Sequence, residues 1–142
     1  MNILFLCVAN SARSQIAEGL AKAMLGSGHN IQSAGSIPSG EIHPNAVIAM
    51  DDIGIDIRNQ YSKSTGDLDI DFIDNLDFVI TLCSEEVCHL LPSKAQNLHW
   101  INEDPAQKGI SDIEQIILFN KVRDDLYKLI KKFILTIKYG VK

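Results

Sequence analysis

The chain opens with an apolar strand, a short loop and an amphipathic helix, and this order restricts the fold more than any other feature. Residues 2–6 are typical of a buried strand, and residues 15–25 carry apolar side chains at helical spacing. The loop between them joins the carboxyl end of a strand to the start of a helix. Backbone N–H groups at such a junction lack helical partners, and the helix dipole favours negative charge there. The opening therefore predicts an anion-binding loop.

Cys7 and Arg13 lie at the two ends of this loop, with the spacing Cys-x5-Arg-Ser. The field of a helix N-terminus favours a thiolate, and a planar guanidinium can bind two oxygens of a tetrahedral oxyanion. The pattern predicts a thiolate nucleophile facing a bound oxyanion. An alternative interpretation makes Cys7 a small apolar residue at a strand end and Arg13 an ordinary first-turn residue. The loop lacks the lysine of a nucleotide-binding P-loop.

Strand and helix patterns alternate along the rest of the chain, which predicts a parallel sheet covered on both faces. We expect an α/β fold with a single domain over residues 1–142, three α/β/α layers and a central four-stranded parallel sheet. Residues 55–75 are expected to form a loop with a short helical turn. The other predicted strands span residues 30–34, 76–82 and 96–100. A helix is predicted over residues 44–53 and a short one between Ser84 and Pro92. A last helix is predicted to begin at Ser111, which has capping-box spacing to Glu114.

Three chemically reactive side chains follow predicted strands. Cys7 comes after the first strand, Cys83 after the third and Asp104 after the fourth. Because sites in open parallel sheets lie beyond the carboxyl ends of the strands, we expect these three side chains at one edge. Taken alone, Asp104 before Pro105 is also compatible with a simple turn.

Composition narrows the possible partners and the redox setting. The 142 residues carry a net charge of −5, which argues against nucleic acid or an anionic membrane as the main partner. No apolar run reaches the length of a membrane span, and the apolar N-terminus lacks the basic region of a signal peptide. Three cysteines are an odd number for a secreted disulfide scaffold and suit free thiols with a redox or catalytic role. We expect a cytoplasmic monomer.

Together these motifs resemble the thioredoxin-coupled arsenate reductases, which share the fold of the low-molecular-weight protein tyrosine phosphatases. Gln15 stands where the phosphatases usually have proline, and the acid loop reads Asp-Pro-Ala, where they have tyrosines after Asp-Pro. The pair Cys83 and Cys88 favours a reductase most, since a phosphatase does not need it. The similar segments are residues 7–15, 17–19, 32–35, 81–84, 99–100 and 104–106.

The chain also departs from the pattern of these relatives. The spacing Cys83-x4-Cys88 is narrower than is common in them. Ala9 stands in place of a glycine, and Ala12 in place of a second loop cysteine. The three remaining cysteines are those that the reductase reaction requires.

The resemblance implies a role for each site residue. Cys7 attacks the arsenic of arsenate, and Asp104 protonates the departing oxygen as a general acid. Cys83 then attacks the Cys7 sulfur, arsenite leaves, and Cys88 resolves the disulfide, so that thioredoxin reduces a Cys83–Cys88 pair. The oxyanion is bound by Asn10, Ser11, Arg13 and Ser14 with the loop N–H groups, and Ser14 also donates to the Cys7 sulfur.

A metal site of some relatives is altered in this chain. Those relatives bind potassium through residues that match Asn10, Glu18 and Ser33 together with an aspartate. Lys63 stands at the aspartate position, and its ammonium group can occupy the place of the cation. We therefore predict no metal at this site, and we expect no cofactor elsewhere.

Two other functions stay open on the sequence. A phosphatase acting on phosphotyrosine or small phosphomonoesters would use Cys7, Arg13 and Asp104, with Cys83 and Cys88 protecting the nucleophile. A non-enzymatic thiol sensor or arsenite-binding module would make no use of Asp104.

Overall fold

The computed structural model describes residues 1–83 and 94–140. Its four strands form one parallel sheet in the order β2-β1-β3-β4, which confirms the predicted α/β class. The strands are β1 (Asn2–Cys7), β2 (Asn30–Gly35), β3 (Phe78–Thr81) and β4 (Gln96–His99). The helices are α1 (Arg13–Leu25), α2 (Pro44–Asp51), α3 (Ile70–Asp74) and α4 (Asp112–Tyr139), with a 3-10 turn at Thr65–Asp67.

The strand register places all four carboxyl ends at one edge of the sheet. Leu6 of β1 pairs with Ala34 of β2 on one side and with Thr81 of β3 on the other, and Thr81 pairs with His99 of β4. The loops that follow β1, β3 and β4 therefore start side by side, as the sequence predicted from the carboxyl-end rule.

The two faces of β1 are buried in two separate apolar cores. Ile3 and Phe5 face a large core formed with α1, α2 and α4, while Leu4 and Leu6 face a smaller core that includes Phe72 of α3. Side chains of a strand alternate between faces, so burial on both sides explains the unbroken apolar run of residues 3–6. Each fully buried side chain of this kind contributes about 1.5–3 kcal/mol through apolar transfer, which makes β1 a firm base for the loop that follows it.

The element boundaries agree with the sequence within a few residues. β3 is shorter than the predicted 76–82, although hydrogen bonds to β1 continue at Asp77 and Leu82 on either side of it. Ser111 accepts a hydrogen bond from the Glu114 N–H (3.1 Å) and so caps α4. The predicted helix after Ser84 lies outside the described residues. In residues 1–83 and 94–140, no helix is both long and apolar enough to cross a bilayer.

Candidate active site

The loop after β1 turns sharply into α1. Asn10 has a positive φ of 49°, and asparagine tolerates this left-handed conformation better than other side chains that carry a Cβ. Gly35 of β2 lies against the same turn. A Cβ at Gly35 would stand 2.3 Å from the Val8 carbonyl oxygen, so only glycine leaves room for the loop to approach β2.

The side chain of Asn10 fixes the loop from below. It is fully buried, and its Nδ2 donates to the hydroxyls of Ser14 (2.7 Å) and Ser33 (2.9 Å). Its Oδ1 accepts from the backbone N–H of Lys63 (2.9 Å) and from Nε2 of Gln15 (3.1 Å). Donors and acceptors of this amide are thus all engaged, which holds the loop in one conformation. The sequence assigned Asn10 to substrate binding, whereas the structure places its side chain beneath the loop.

Cys7 is a free thiol at the bottom of the loop and is only 4% exposed. Its Sγ lies 2.8 Å from Oγ of Ser14. Because the Ser14 oxygen accepts from Asn10, its own hydroxyl proton is available to the Cys7 sulfur. The family resemblance implied this contact between Ser14 and the Cys7 sulfur.

The guanidinium of Arg13 is buried and is oriented by the ends of two strands. One terminal nitrogen, Nη1, donates to the carbonyl of Asn102 (3.1 Å) and, at 3.5 Å, to that of Leu82. These carbonyls lie just beyond β4 and β3. Arg13 therefore joins the loop after β1 to the segments that carry Cys83 and Asp104.

A cavity of about 100 Å³ opens above Cys7 at the carboxyl edge of the sheet. This volume corresponds to roughly three water molecules in the liquid, which suits a small tetrahedral oxyanion. The nucleophile, the guanidinium and the acid predicted from the sequence therefore meet at one small cavity. It is lined by Cys7, Ala9, Ser11, Ala12, Arg13, Asp104 and Ala106.

Asp104 is held much more loosely than the residues of the loop. It is exposed, and its Oδ1 accepts from the backbone N–H of Ala106 at 3.0 Å. Its Oδ2 makes no hydrogen bond to the residues that the structure describes. This oxygen is free to face a ligand in the cavity.

Cys83 is buried (1% exposed) two residues beyond β3 and is disulfide-bonded. Within the described part of the chain, it does not line the cavity that contains Cys7. Cys88 lies outside the described residues. The predicted meeting of three thiols therefore rests on the order of the strands rather than on an observed contact.

Lys63 occupies a buried position below the loop. Its side chain is 5% exposed, and its ammonium lies 4.4 Å from the centroid of the Tyr61 ring. Burial lowers the pKa of Lys63, and the carboxylate of Glu18 opposes that change. Glu18 in turn accepts from the hydroxyl of Ser33 at 2.6 Å. Of the residues that match the potassium ligands of relatives, Glu18 acts electrostatically on the Lys63 ammonium, and Asn10 accepts from the Lys63 backbone N–H.

Two features of the site escaped sequence reasoning. Gln60 donates to Oε1 of Gln15 (2.9 Å), and Gln15 donates to the carbonyl of Tyr61 (3.1 Å), which ties α1 to the loop before Lys63. His43 caps α2 and hydrogen-bonds the oxyanion loop. Because proline is common at the first helical position, Pro44 indicates a cap at position 43 in the sequence. The contact of His43 with the oxyanion loop depends on tertiary packing, which the sequence pattern does not indicate.

Comparison with known proteins connects this geometry to a family. The sequence pattern of the low molecular weight phosphotyrosine protein phosphatases matches residues 2–142. An arsenate reductase of Halalkalibacterium halodurans is 43% identical over 133 residues, covering 92% of this chain and 93% of the relative.

Two solved structures share the fold. One is described as an arsenate reductase in the phosphate binding state, and it superimposes with a TM-score of 0.79 at 31% identity over 96% of this chain and 98% of its own. The other is a thioredoxin-dependent arsenate reductase of Corynebacterium glutamicum, with a TM-score of 0.66 at 32% identity over 94% of this chain and 62% of its own.

Proposed function

The chain belongs to the low molecular weight phosphotyrosine protein phosphatase family, and we propose that within it the protein is an arsenate reductase. One observation carries the proposal beyond the family. Cys7 is a free thiol in the oxyanion cavity, while Cys83, beyond the neighbouring strand, is disulfide-bonded. A thiol–disulfide reductase requires a disulfide that forms away from the nucleophile, whereas a phosphatase would use one only to protect Cys7.

The first step forms a bond between sulfur and arsenic. The thiolate of Cys7 attacks arsenate, and one arsenic–oxygen bond breaks as Asp104 gives its proton to the departing oxygen, which leaves as water. Arg13 and the loop N–H groups hold the remaining oxygens, and these donors are oriented before the substrate arrives. The exposed position of Asp104 allows it to regain a proton from solvent.

The next steps carry two electrons from thiols to arsenic. The thiolate of Cys83 attacks the Cys7 sulfur, a disulfide forms, and the electron pair of the sulfur–arsenic bond stays on arsenic, which leaves as arsenite. Cys88 then attacks Cys83 and releases Cys7 as a thiolate. The Cys83–Cys88 disulfide accepts two electrons from thioredoxin, in keeping with the thioredoxin-dependent relative of the same fold. We expect the protein to act as a monomer in the cytoplasm, where a reducing environment keeps its thiols available for the reaction.

Hydrolysis of small phosphomonoesters is the second candidate. The size and lining of the cavity suit phosphate as well as arsenate, and the family name records phosphatase activity. In that reaction water, rather than Cys83, would release Cys7.

A coupled assay tests the reductase. With arsenate, thioredoxin, thioredoxin reductase and NADPH, the protein should consume NADPH continuously. Cys88→Ser should stop after one turnover per protein molecule, because Cys7 stays in a disulfide with Cys83. Continuous turnover in both Cys83→Ser and Cys88→Ser would exclude the three-thiol reaction. Phosphate release from p-nitrophenyl phosphate without NADPH consumption would instead support the phosphatase.

A further inference from the structure

A second cavity, of about 270 Å³, lies between α1, β2 and the segment that follows α2. Among the described residues, it shares no lining side chain with the cavity above Cys7. Its volume corresponds to roughly nine water molecules in the liquid, so it has room for a molecule of several non-hydrogen atoms. Much of its wall is polar, since it includes the side-chain amides of Asn30, Gln32, Asn59 and Gln60.

The ammonium group of Lys63 is a buried charge at this second cavity. The side chain lines the cavity and is 5% exposed, and its nitrogen lies 4.4 Å from the centroid of the Tyr61 ring. In residues 1–83 and 94–140, this ammonium donates no hydrogen bond and forms no ion pair. A ring contact does not replace the hydrogen bonds that an ammonium group gives up on leaving water, so burial favours a ligand that accepts from Lys63.

Glu18 also lines the second cavity, but its carboxylate is already satisfied. Its Oε2 accepts from the ammonium of Lys22, and its Oε1 accepts from the hydroxyl of Ser33 (2.6 Å). The opposite charges of Glu18 and Lys22 therefore offset each other at the cavity wall. Within the described lining, Lys63 carries a charge that no such pair offsets.

Two further charges stand outside the lining and are opposite in sign. The N-terminal amine lies 2.8 Å from Nδ1 of His29, which is a lining residue. Asp67 raises the pKa of Lys63 less than Glu18 does, and its carboxylate accepts from the N–H and the hydroxyl of Ser64 (3.1 Å each). The excess charge of the site is therefore that of Lys63, which suits a singly charged anion.

We propose that the second cavity binds a small, singly charged carboxylate whose oxygens accept from the Lys63 ammonium and whose other polar atoms face the amide side chains. A carboxylate supplies strong hydrogen-bond acceptors and also neutralises the charge, whereas water supplies acceptors alone. The backbone of Lys63 meanwhile supports the oxyanion loop, because its N–H donates to Oδ1 of Asn10 (2.9 Å). The site is a neighbour of the catalytic cavity, and it does not depend on the proposed reductase activity.

An NMR titration with lactate tests the site without any assay of activity. Lactamide, which is neutral and nearly the same size, is the matched control ligand. We expect lactate to shift the backbone amide signals of residues 59–63 with a Kd of about 1–10 mM, and lactamide to leave them unchanged. Phosphate should not displace lactate. Lactate shifts confined to residues 7–14, or displacement by phosphate, would place the anion in the catalytic cavity and overturn the proposal.

Two variants test whether the Lys63 charge holds the anion. Lys63→Met keeps a similar volume without the charge and should weaken lactate binding by about 10-fold or more, whereas Lys128→Met, at an exposed position on α4, should change it by less than about 2-fold. Asn59→Asp adds a carboxylate to the lining at an exposed position, so it should keep the wild-type melting temperature and repel lactate. Equal lactate affinities in the wild type, Lys63→Met and Asn59→Asp would show that water alone solvates the ammonium and would overturn the proposal.

Discussion

The oxyanion loop and the Asp104 loop meet at the same cavity but are held in opposite ways. In the first, Asn10 is fully buried and its amide makes four hydrogen bonds. In the second, Asp104 is exposed, and its one hydrogen bond to the described residues comes from Ala106. Groups that stabilise charge act best when they are fixed before the reaction, whereas a proton donor must follow the departing oxygen and exchange with solvent. The loop that stabilises charge is therefore rigid, and the loop that carries the proton donor is held more loosely.

The largest effect is expected from Cys7→Ser, which removes the nucleophile and leaves the loop in place. Arsenate turnover should fall by about 10⁴-fold or more, because no other step can replace the sulfur–arsenic bond. Oxyanion binding, measured as a rise in melting temperature with added phosphate, should persist because Arg13 and the loop N–H groups are intact. If phosphate no longer raises the melting temperature, the rigid loop depends on the thiol more than the structure indicates.

Asp104→Asn tests the looser half of the site. Loss of the general acid should lower kcat by about 10²–10⁴-fold. The melting temperature should not change, because the side chain is exposed and asparagine can still accept from the Ala106 N–H. Glu103→Gln is the matched control on the neighbouring exposed residue and should leave turnover unaltered. A marked loss of stability in Asp104→Asn would contradict the contrast between the two loops.

Asn10→Ala tests the rigid half. It leaves the Lys63 N–H without a partner and puts alanine at a left-handed position, so the free energy of unfolding should fall by at least about 2 kcal/mol. Urea denaturation measures the change. Asn59→Ala, at an exposed position, should stay within about 0.5 kcal/mol of the wild type. Equal midpoints for the two variants would show that the amide network does not hold the loop.

Lys63→Asp should produce the smallest change, a new response to potassium. The wild type should show equal melting temperatures in potassium and sodium chloride, because the Lys63 ammonium lies in the field of Glu18. The variant replaces this cation with a second carboxylate, and it should melt lower in sodium and recover in potassium. Lys63→Met removes the charge without adding a ligand and should not distinguish the two salts. A potassium response in the wild type would refute the role assigned to Lys63.

The sequence predicted those parts of the molecule that local patterns determine. The unbroken apolar run of β1 and the cap at Ser111 gave elements within a few residues of those observed. The order of strands was enough to place Cys7 and Asp104 at one edge, where they line one cavity. Their catalytic roles, and those of Cys83 and Cys88, stay predictions until the variants are assayed.

Long-range contacts account for what the sequence did not predict. In the sequence, His43 is recognisable only as the residue before a proline that begins a helix. Its contacts with Ser11 and Phe119 arise from packing between α2, α4 and the loop. Asn10 sits in a binding motif, yet its partners Ser33 and Lys63 come from distant parts of the chain. No periodicity or motif encodes such pairs, because they depend on how separate elements meet.

The close approach of Gly35 to the loop limits how this protein can change. A methyl group there would stand 2.3 Å from the Val8 oxygen, so even alanine forces the loop outward. A residue that does not line the cavity therefore determines how closely the loop after β1 approaches β2. In a random mutagenesis library, position 35 should rank with the reactive residues in intolerance although it has no chemistry of its own. Redesign of the pocket for a larger anion would therefore have to keep glycine at this position on β2 and change residues that line the cavity, such as Ala9 and Ala106.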